Sequence, residues 1–475
     1  MSEIDLSKNE KAVLEQIGLE MKANKYVSGE MQFTDLTNTL YFLRAYEDSI
    51  RYCITWDKFL VWNGTNWEID LRGFVQERIP IFIHKMYRIQ RYIPDQLLKQ
   101  EFEKHLVKSE SFRRIQAIVG LLKMQPSIKV IEKELDTDIY LFNVEGLTLN
   151  LKNGKAKEPN IKNLITKKSL FVYNKDADCP TWKMFLMQIF NNDTQLIKFI
   201  QKACGYALSG DVSEQCLFIL WGTGANGKST FLNVLLQLFG DYGCSTGIET
   251  FTKKNKEQSN DLARLKGARL VTTSEIEQGN PMSESLIKSV TGEDALTARF
   301  LYGEYFSFKP TFKIFMATNH KPKIRGADNG IWRRIKMIPF TVTIPSEQRD
   351  KKLTEKLIAE NSGILNWLIS GYAMWKKEGL EEPEAVRQAN EEYRMDMDAV
   401  GTFVNDCLEI DASLKWRLHT KLLYETYIKW CNKNNERVMS QKWLGLRMSE
   451  KGFKRMATNG QRVWLGLVIR NEWRG

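Results

Sequence analysis

Only four histidines and seven cysteines occur in 475 residues. The cysteines (Cys53, Cys179, Cys204, Cys216, Cys244, Cys407 and Cys431) stand singly, without a C-x-x-C pair. That excludes the ligand spacing of a zinc site, and an odd, scattered set reads as buried or free thiols rather than a disulfide frame. Proline is also sparse, with 11 residues, and no long Pro/Gly/Ser linker, internal repeat or low-complexity tract interrupts the chain. No run of about 18 apolar residues suggests a membrane span. The opening MSEIDLSKNEKAV lacks the apolar stretch of a signal peptide. The expectation is a cytoplasmic protein with no membrane partner.

What is present is a basic globular chain. Hydrophobic residues make up 43% and aromatics 11%, well above disordered composition, and the length suits about two to four domains. The formal net charge is +11. This excess fits a polyanionic partner, or simply a soluble protein that is basic.

Along the chain, residues 1–115 read as a mixed α/β domain. The segment 51–68 alternates around Asn63-Gly64, a hairpin signal in which Trp56, Trp62 and Trp67 are packing residues or, alternatively, base-stacking ones. Residues 116–210 end in apolar residues at helical spacing and form a helical region. Residues 211–345 alternate short apolar strands (Cys216–Trp221, Ala268–Thr273, Phe312–Ala317, Ile335–Phe340) with helices, which predicts a parallel sheet in an α/β layer. A helical connector, 346–395, leads to a compact domain, 396–475. Over 401–475 fourteen Lys/Arg face seven Asp/Glu, so much of the basic excess lies there.

The strongest motif is Gly222, Thr223, Gly224, Ala225, Asn226, Gly227, Lys228, Ser229, the pattern G-x-x-x-x-G-K-[ST], followed by Thr230. It follows an apolar strand and opens a helical run, as a phosphate-binding loop requires. Glycines let backbone N–H groups wrap phosphates, and the helix N-terminus adds its dipole. Lys228 is expected on the β/γ-phosphates of ATP and Ser229 on Mg²⁺.

Further motifs narrow the chemistry. The apolar strand from Arg269 ends in Glu275 and Glu277, the first of them 47 residues beyond Lys228. An acid there orders Mg²⁺ and polarises the attacking water; Glu275 is the first choice and Glu277 the second. The strand from Lys313 ends in Asn319, placed to orient that water or else to make a turn. Arg333 and Arg334 precede another apolar strand, and either reaches a neighbouring subunit's γ-phosphate or serves as a surface ion-pair or DNA-backbone contact. Arg334 is preferred to Arg333.

Taken in order, GTGANGKS, SEIEQG, Leu286–Arg299, Ala317-Thr-Asn-His and WRRIKMIPF resemble a superfamily 3 helicase of the AAA+ class. Within it the resemblance is to the phage, plasmid and poxvirus-type primase-helicases and to initiators of mobile genomic islands. It extends upstream through Trp62–Trp67, Val172–Trp182 and Gly205–Asp211, and so covers most of the chain. The resemblance implies nucleotide and metal contacts at Lys228 and Ser229, an acidic strand end at Glu275 and Glu277 (split here by Ile276), a sensor at Asn319 and a finger at Arg333 or Arg334. It further implies that Lys288, Asp294 and Arg299 precede a pore hairpin, Arg299–Phe308, with its tip at Tyr302-Gly303-Glu304. Basic and aromatic groups there (Lys288, Arg299, Tyr302) are expected to grip one DNA strand, or else the hairpin merely packs on the core, and Glu304 is an exception to the first pattern. Translocation 3′ to 5′ is implied too.

In the basic tail, the amphipathic run His419–Trp430, a short helix after Ser440, and two strand-like arms around Asn459-Gly460 follow winged-helix order. Lys442, Arg447, Lys454, Arg455 and Arg462 are expected on DNA phosphates, or on a solvated face of an oligomerisation domain. The reading is thus an α/β AAA+ P-loop NTPase core with an α-helical and mixed N-terminal region and a C-terminal winged-helix domain. The resemblance implies that it acts as a ring-shaped, hexameric, ATP- and Mg²⁺-dependent helicase on single-stranded and duplex DNA, in replication of a phage, plasmid or mobile element. The alternative is an origin-binding initiator whose ATP use only switches assembly. No convincing D-x-D metal motif occurs in 1–115, so a separate primase or other replication proteins would supply priming.

Overall fold

The computed structural model describes every residue except 1–6, 23–31, 253–257, 275–280, 302, 325–328, 435, 437, 459–460 and 475. At its centre is a five-stranded, all-parallel sheet. In chain order its strands are Leu217–Trp221, Gly243–Gly247, Leu270–Ser274, Lys313–Thr318 and Ile335–Pro339. Across the sheet they lie in the order fifth, first, fourth, third, second.

Period-two alternation divides these strands between two cores, as side chains on a strand must point to opposite faces. Phe218, Leu220, Phe315, Ala317 and Ile338 face one side, with the helices Lys228–Phe239, Pro180–Ile189, Thr194–Leu208 and Asn361–Glu378. Leu217, Ile219, Ile314, Met316 and Met337 face the other, with Ile287 and Val290 of helix Glu284–Val290 and Tyr393 of helix Glu384–Asp396. Burial on both faces explains why the inner strands are nearly all apolar.

The upstream helices are part of this body. Helices Thr194–Leu208 and Asn361–Glu378 cross at glycines: a Cβ on Gly205 would lie 2.1 Å from the Tyr372 backbone nitrogen, and one on Gly371 would lie 2.0 Å from the Gln201 carbonyl oxygen. Two buried cations tie the same region to the sheet. Arg269 donates to the carbonyls of Leu208 and Leu141, both at 2.6 Å. Lys313 donates to those of Ser209 and, at 2.9 Å, Asp211. Burial pulls both side chains below their ordinary pKa, Lys313 strongly, and the carbonyls and the rings of Tyr242 and Tyr206, each 4.5 Å away, offset the lost water.

The N-terminal helices share a separate core built around Phe42, Tyr46, Phe82 and Phe102. Helix Phe112–Met124 runs through the expected division at 115, because its Ile118, Val119 and Leu122 bury into that core. The Asn63-Gly64 turn joins antiparallel strands Lys58–Trp62 and Trp67–Ile69, with Trp62 opposite Trp67. Trp67 is fully buried, and Trp56 and Trp62 pack against its small cluster. All three side chains pack within the fold.

Helices Ala399–Cys407, Thr420–Lys433 and Gln441–Glu450 surround Phe403, Tyr427, Trp430 and Trp464 at the C-terminal end. Strands Arg417–His419, Gln461–Leu465 and Arg455–Thr458 form an antiparallel sheet beside them; the expected Asn459-Gly460 turn lies outside the described residues. Among the described residues, no helix is long and apolar enough to cross a membrane.

Candidate nucleotide-binding site

Strand Leu217–Trp221 runs directly into the loop 222–227, which turns through three left-handed residues: Gly224 at φ +109°, Ala225 at +50° and Gly227 at +85°. Such a sequence turns successive N–H groups toward one concavity. Gly222 has no room for a side chain, since a Cβ would lie 2.2 Å from the Phe340 carbonyl oxygen. The segment after the fifth strand holds the loop: Phe340 N–H donates to Trp221 at 2.7 Å, Ile344 N–H to Ala225 at 2.8 Å, and Asn226 Nδ2 to Phe340 at 3.2 Å. Helix Lys228–Phe239 then begins with no side chain capping it, so its first N–H groups face the concavity as an anion site does.

From beneath, Ile189 and Phe185 of helix Pro180–Ile189 support the loop. They approach Gly227 so closely that a Cβ there would lie 2.7 and 3.1 Å from them. Trp182 stacks on Phe231 of the following helix, centroids 5.5 Å apart. Helical spacing marked these residues as core; their position under the loop came only with the fold.

Lys228 is 6% exposed. Its Nζ donates to Gly222 O at 2.7 Å, Asn226 Oδ1 at 2.9 Å and Asn319 Oδ1 at 3.1 Å. Burial lowers its pKa, so an incoming anion would restore the favoured charge. Ser229 follows, exposed, in the first helical turn, and Thr230 is half-buried. The buried cation, the N–H concavity and the exposed hydroxyl fit a triphosphate with Mg²⁺, with Ser229 as the metal's protein ligand.

Asn319 reaches Lys228 because of strand register. Thr318 pairs with Trp221 across adjacent parallel strands, placing the next residue beside Gly222. On the far side Ser274 pairs with Ala317. Glu275 and Glu277 follow Ser274 and lie outside the described residues.

The arginines lie at the other end of the sheet. Arg334 O accepts from Leu217 N–H at 2.8 Å, beside the start of the loop-bearing strand. Five strand residues, about 15 Å, separate that edge from the loop. One side-chain oxygen serves both: Gln215 Oε1 accepts from Arg333 Nη2 at 3.0 Å and from Arg334 Nη2 at 3.3 Å. Arg334 also donates to Thr291 Oγ1 at 3.2 Å and Gly330 O at 2.5 Å. Gln215 adopts φ +48°. No motif marked Gln215, which acts through residues distant in sequence, and the Leu286–Arg299 motif gave its Thr291 no role.

The hairpin's first arm lies ahead of its expected position, while its second falls within the expected segment. Leu296–Ala298 pairs with Phe306–Phe308, so Arg299 begins the connecting loop rather than a strand. The alternation that suggested an arm at 299–302 belongs to this loop, where Phe300, Leu301 and Tyr305 are at least half exposed. The Arg299 guanidinium lies 4.9 Å over Tyr305. Tyr302 lies outside the described residues, Gly303 and Glu304 are exposed, and Lys288 is half-buried on helix Glu284–Val290. Of the C-terminal cations, Lys442, Arg455 and Arg462 border one groove. Arg447 instead ion-pairs with Glu450 at 2.9 Å, and Lys454 is exposed outside that groove.

Comparison with known proteins adds three family matches: the profile described as D5 N terminal like at residues 39–191, one of unknown function at 220–334, and Poxvirus D5 protein-like at 395–464. The chain is 30% identical over 326 residues to the provisionally named helicase L207/L206 of Acanthamoeba polyphaga mimivirus, covering 64% of this chain and 34% of that one. It is 22% identical over 390 residues to the provisionally named helicase V13 of Sputnik virophage, covering 76% and 49%. The chain thus spans between a third and a half of these curated relatives. An apo structure of the NrS-1 C terminal region aligns over 88% of this chain and 96% of its own at 12% identity, with a TM-score of 0.47.

Proposed function

We propose that this chain, which belongs to the D5-like primase-helicase family of superfamily 3 helicases, is an ATP-driven DNA helicase whose hydrolytic site is completed by a second copy of itself. Its core is read as AAA+, with a winged-helix domain after it. One observation carries the proposal. Lys228 and Asn319 meet at one end of the parallel sheet, while Arg333 and Arg334 are held at the opposite end. Within one protomer the arginines cannot reach the phosphates that Lys228 would bind. In a ring, the neighbour's sheet edge brings them there.

Lys228 and the N–H groups of 222–228 would hold the β/γ-phosphates, and Ser229 would hold Mg²⁺, which when bound would supply charge neutralisation for the transferring phosphoryl group. Glu275, with Glu277 as the second choice, accepts a proton from the attacking water, and Asn319 orients it. Arg334 of the adjacent copy stabilises charge on the leaving phosphate. The exposed residues 299–301 and 303–305 grip one DNA strand in the channel of a hexamer, moving 3′ to 5′, in replication of a viral or mobile element.

Hydrolysis measured on Lys228→Ala and Arg334→Ala, alone and mixed, tests this. Each variant alone should be inactive, and the mixture should recover part of the activity at interfaces that regain both halves. No recovery in mixtures that co-assemble would refute a shared site. Hydrolysis without ATP-dependent strand separation on a forked duplex would favour an initiator that uses ATP only to assemble.

A further inference from the structure

Between the start of helix Thr420–Lys433, helix Gln441–Glu450 and the strands Arg455–Thr458 and Gln461–Leu465 lies a groove of about 1340 Å³. Gly445 forms part of its floor. A Cβ there would lie 3.3 Å from the Arg455 guanidinium, so the missing side chain lets Arg455 lie across the floor, 5.7 Å over the buried Trp464 ring. Lys421, Lys442 and Arg462, all exposed, share the rest of the lining with four neutral polar or imidazole side chains, and Glu425 is the one acid among the described lining residues. Between these cations, three large apolar side chains face water: Leu422 is 47% exposed, Trp443 57% and Leu446 47%.

That combination suits one class of ligand. A duplex presents base edges, which are read by side chains rich in donors and acceptors. Such reading has no use for an exposed indole and two exposed leucines. Unpaired bases instead present π faces that stack on aromatic rings, while their phosphates bind Lys and Arg. The charge excludes a basic partner, and the exposed ring distinguishes the groove from a purely electrostatic track.

We propose that this groove binds single-stranded DNA, with an unpaired base stacked on Trp443 and flanking phosphates on Lys421, Lys442, Arg455 and Arg462. The proposal rests on the helicase reading above and deepens it: the C-terminal region grips separated strand rather than reading duplex sequence.

Fluorescence anisotropy of the full chain without nucleotide tests it, using a labelled oligothymidylate and a blunt duplex of equal phosphate count. The single strand should bind more tightly. Trp443→Ala should weaken single-strand binding by roughly 5- to 150-fold, the effect of losing one stacked base, and Trp443→Phe should retain most of it. Lys442→Ala should reduce the salt dependence by a slope of about 0.7. Tighter duplex binding that ignores Trp443→Ala would overturn the proposal in favour of duplex recognition. Absence of binding to either probe by a chain with an intact melting transition would overturn it too. ATP hydrolysis of the unaltered chain with saturating oligothymidylate is read in parallel. Its absence would remove the motor reading alone, whereas hydrolysis together with single-strand binding that Trp443→Ala and Lys442→Ala leave unchanged would remove this proposal alone.

Discussion

Lys228 Nζ donates to Asn319 Oδ1 at 3.1 Å, joining residues 91 positions apart at the ends of two adjacent parallel strands. The amide therefore contacts the ammonium that is proposed to meet the γ-phosphate of a bound nucleotide. Asn319→Ala should lower kcat by about 10²- to 10³-fold, the scale for losing one preorganised polar group, with little change in KM for ATP. Asn319→Asp should raise KM instead, because a carboxylate at that distance would hold the ammonium in an ion pair. Steady-state kinetics on both variants distinguishes these effects; a KM for Asn319→Asp equal to the parent's would argue against that ion pair.

The lowered pKa of Lys228 has a consequence for ATP affinity. Only the protonated amine pairs with phosphate. Binding should be tightest below the depressed pKa of the free site. It should then weaken by about tenfold per pH unit as pH rises through that value toward the ordinary lysine value. Titration calorimetry across alkaline pH should show this decline together with proton uptake on binding. In Lys228→Arg, whose guanidinium stays charged, the decline should be absent.

Gln215 holds both Arg333 and Arg334 through one carbonyl oxygen. Gln215→Gly removes that acceptor but suits the backbone, which has φ +48°. Its stability should stay within about 1 kcal/mol of the parent, while kcat falls and KM for ATP holds, because the arginines act on charge developing in the transition state. Gln215→Glu should also lower kcat, by holding the guanidinium groups in ion pairs. Unchanged kcat in Gln215→Gly would remove Gln215 as a positioning residue.

Gly205→Val tests whether the upstream helices belong to the ATPase body. The new side chain would meet the Tyr372 backbone, which cannot move aside as a flexible side chain would. A loss of about 3 kcal/mol or more is expected, at the upper end of overpacking costs. Denaturant unfolding should show the central sheet and helix Thr194–Leu208 melting in one transition.

Much of the core was legible because its signals are local. A strand, a glycine-rich turn and a helix lie within one short stretch at 217–239, and short apolar runs marked the inner strands since both their faces are buried. The edge strand Gly243–Gly247 was missed. Its sequence, GCSTG, carries no apolar pattern, because an edge strand pairs on one side and is only partly buried. The hairpin's first arm shifted for a related reason: alternating residues in an exposed loop imitate a strand when no pairing partner is known.

Local chemistry in the sequence determined that the loop at 222–229 can hold phosphates, that Asn319 and the arginine pair end or begin strands, and that the C-terminal region is basic. Only the tertiary structure decided that Asn319 touches Lys228, that Gln215 joins the two arginines, and that Gly445 opens a groove lined by Trp443. Each of these depends on the register and crossing of elements far apart along the chain. Backbone hydrogen bonding and close packing set those relationships, and no single segment encodes them.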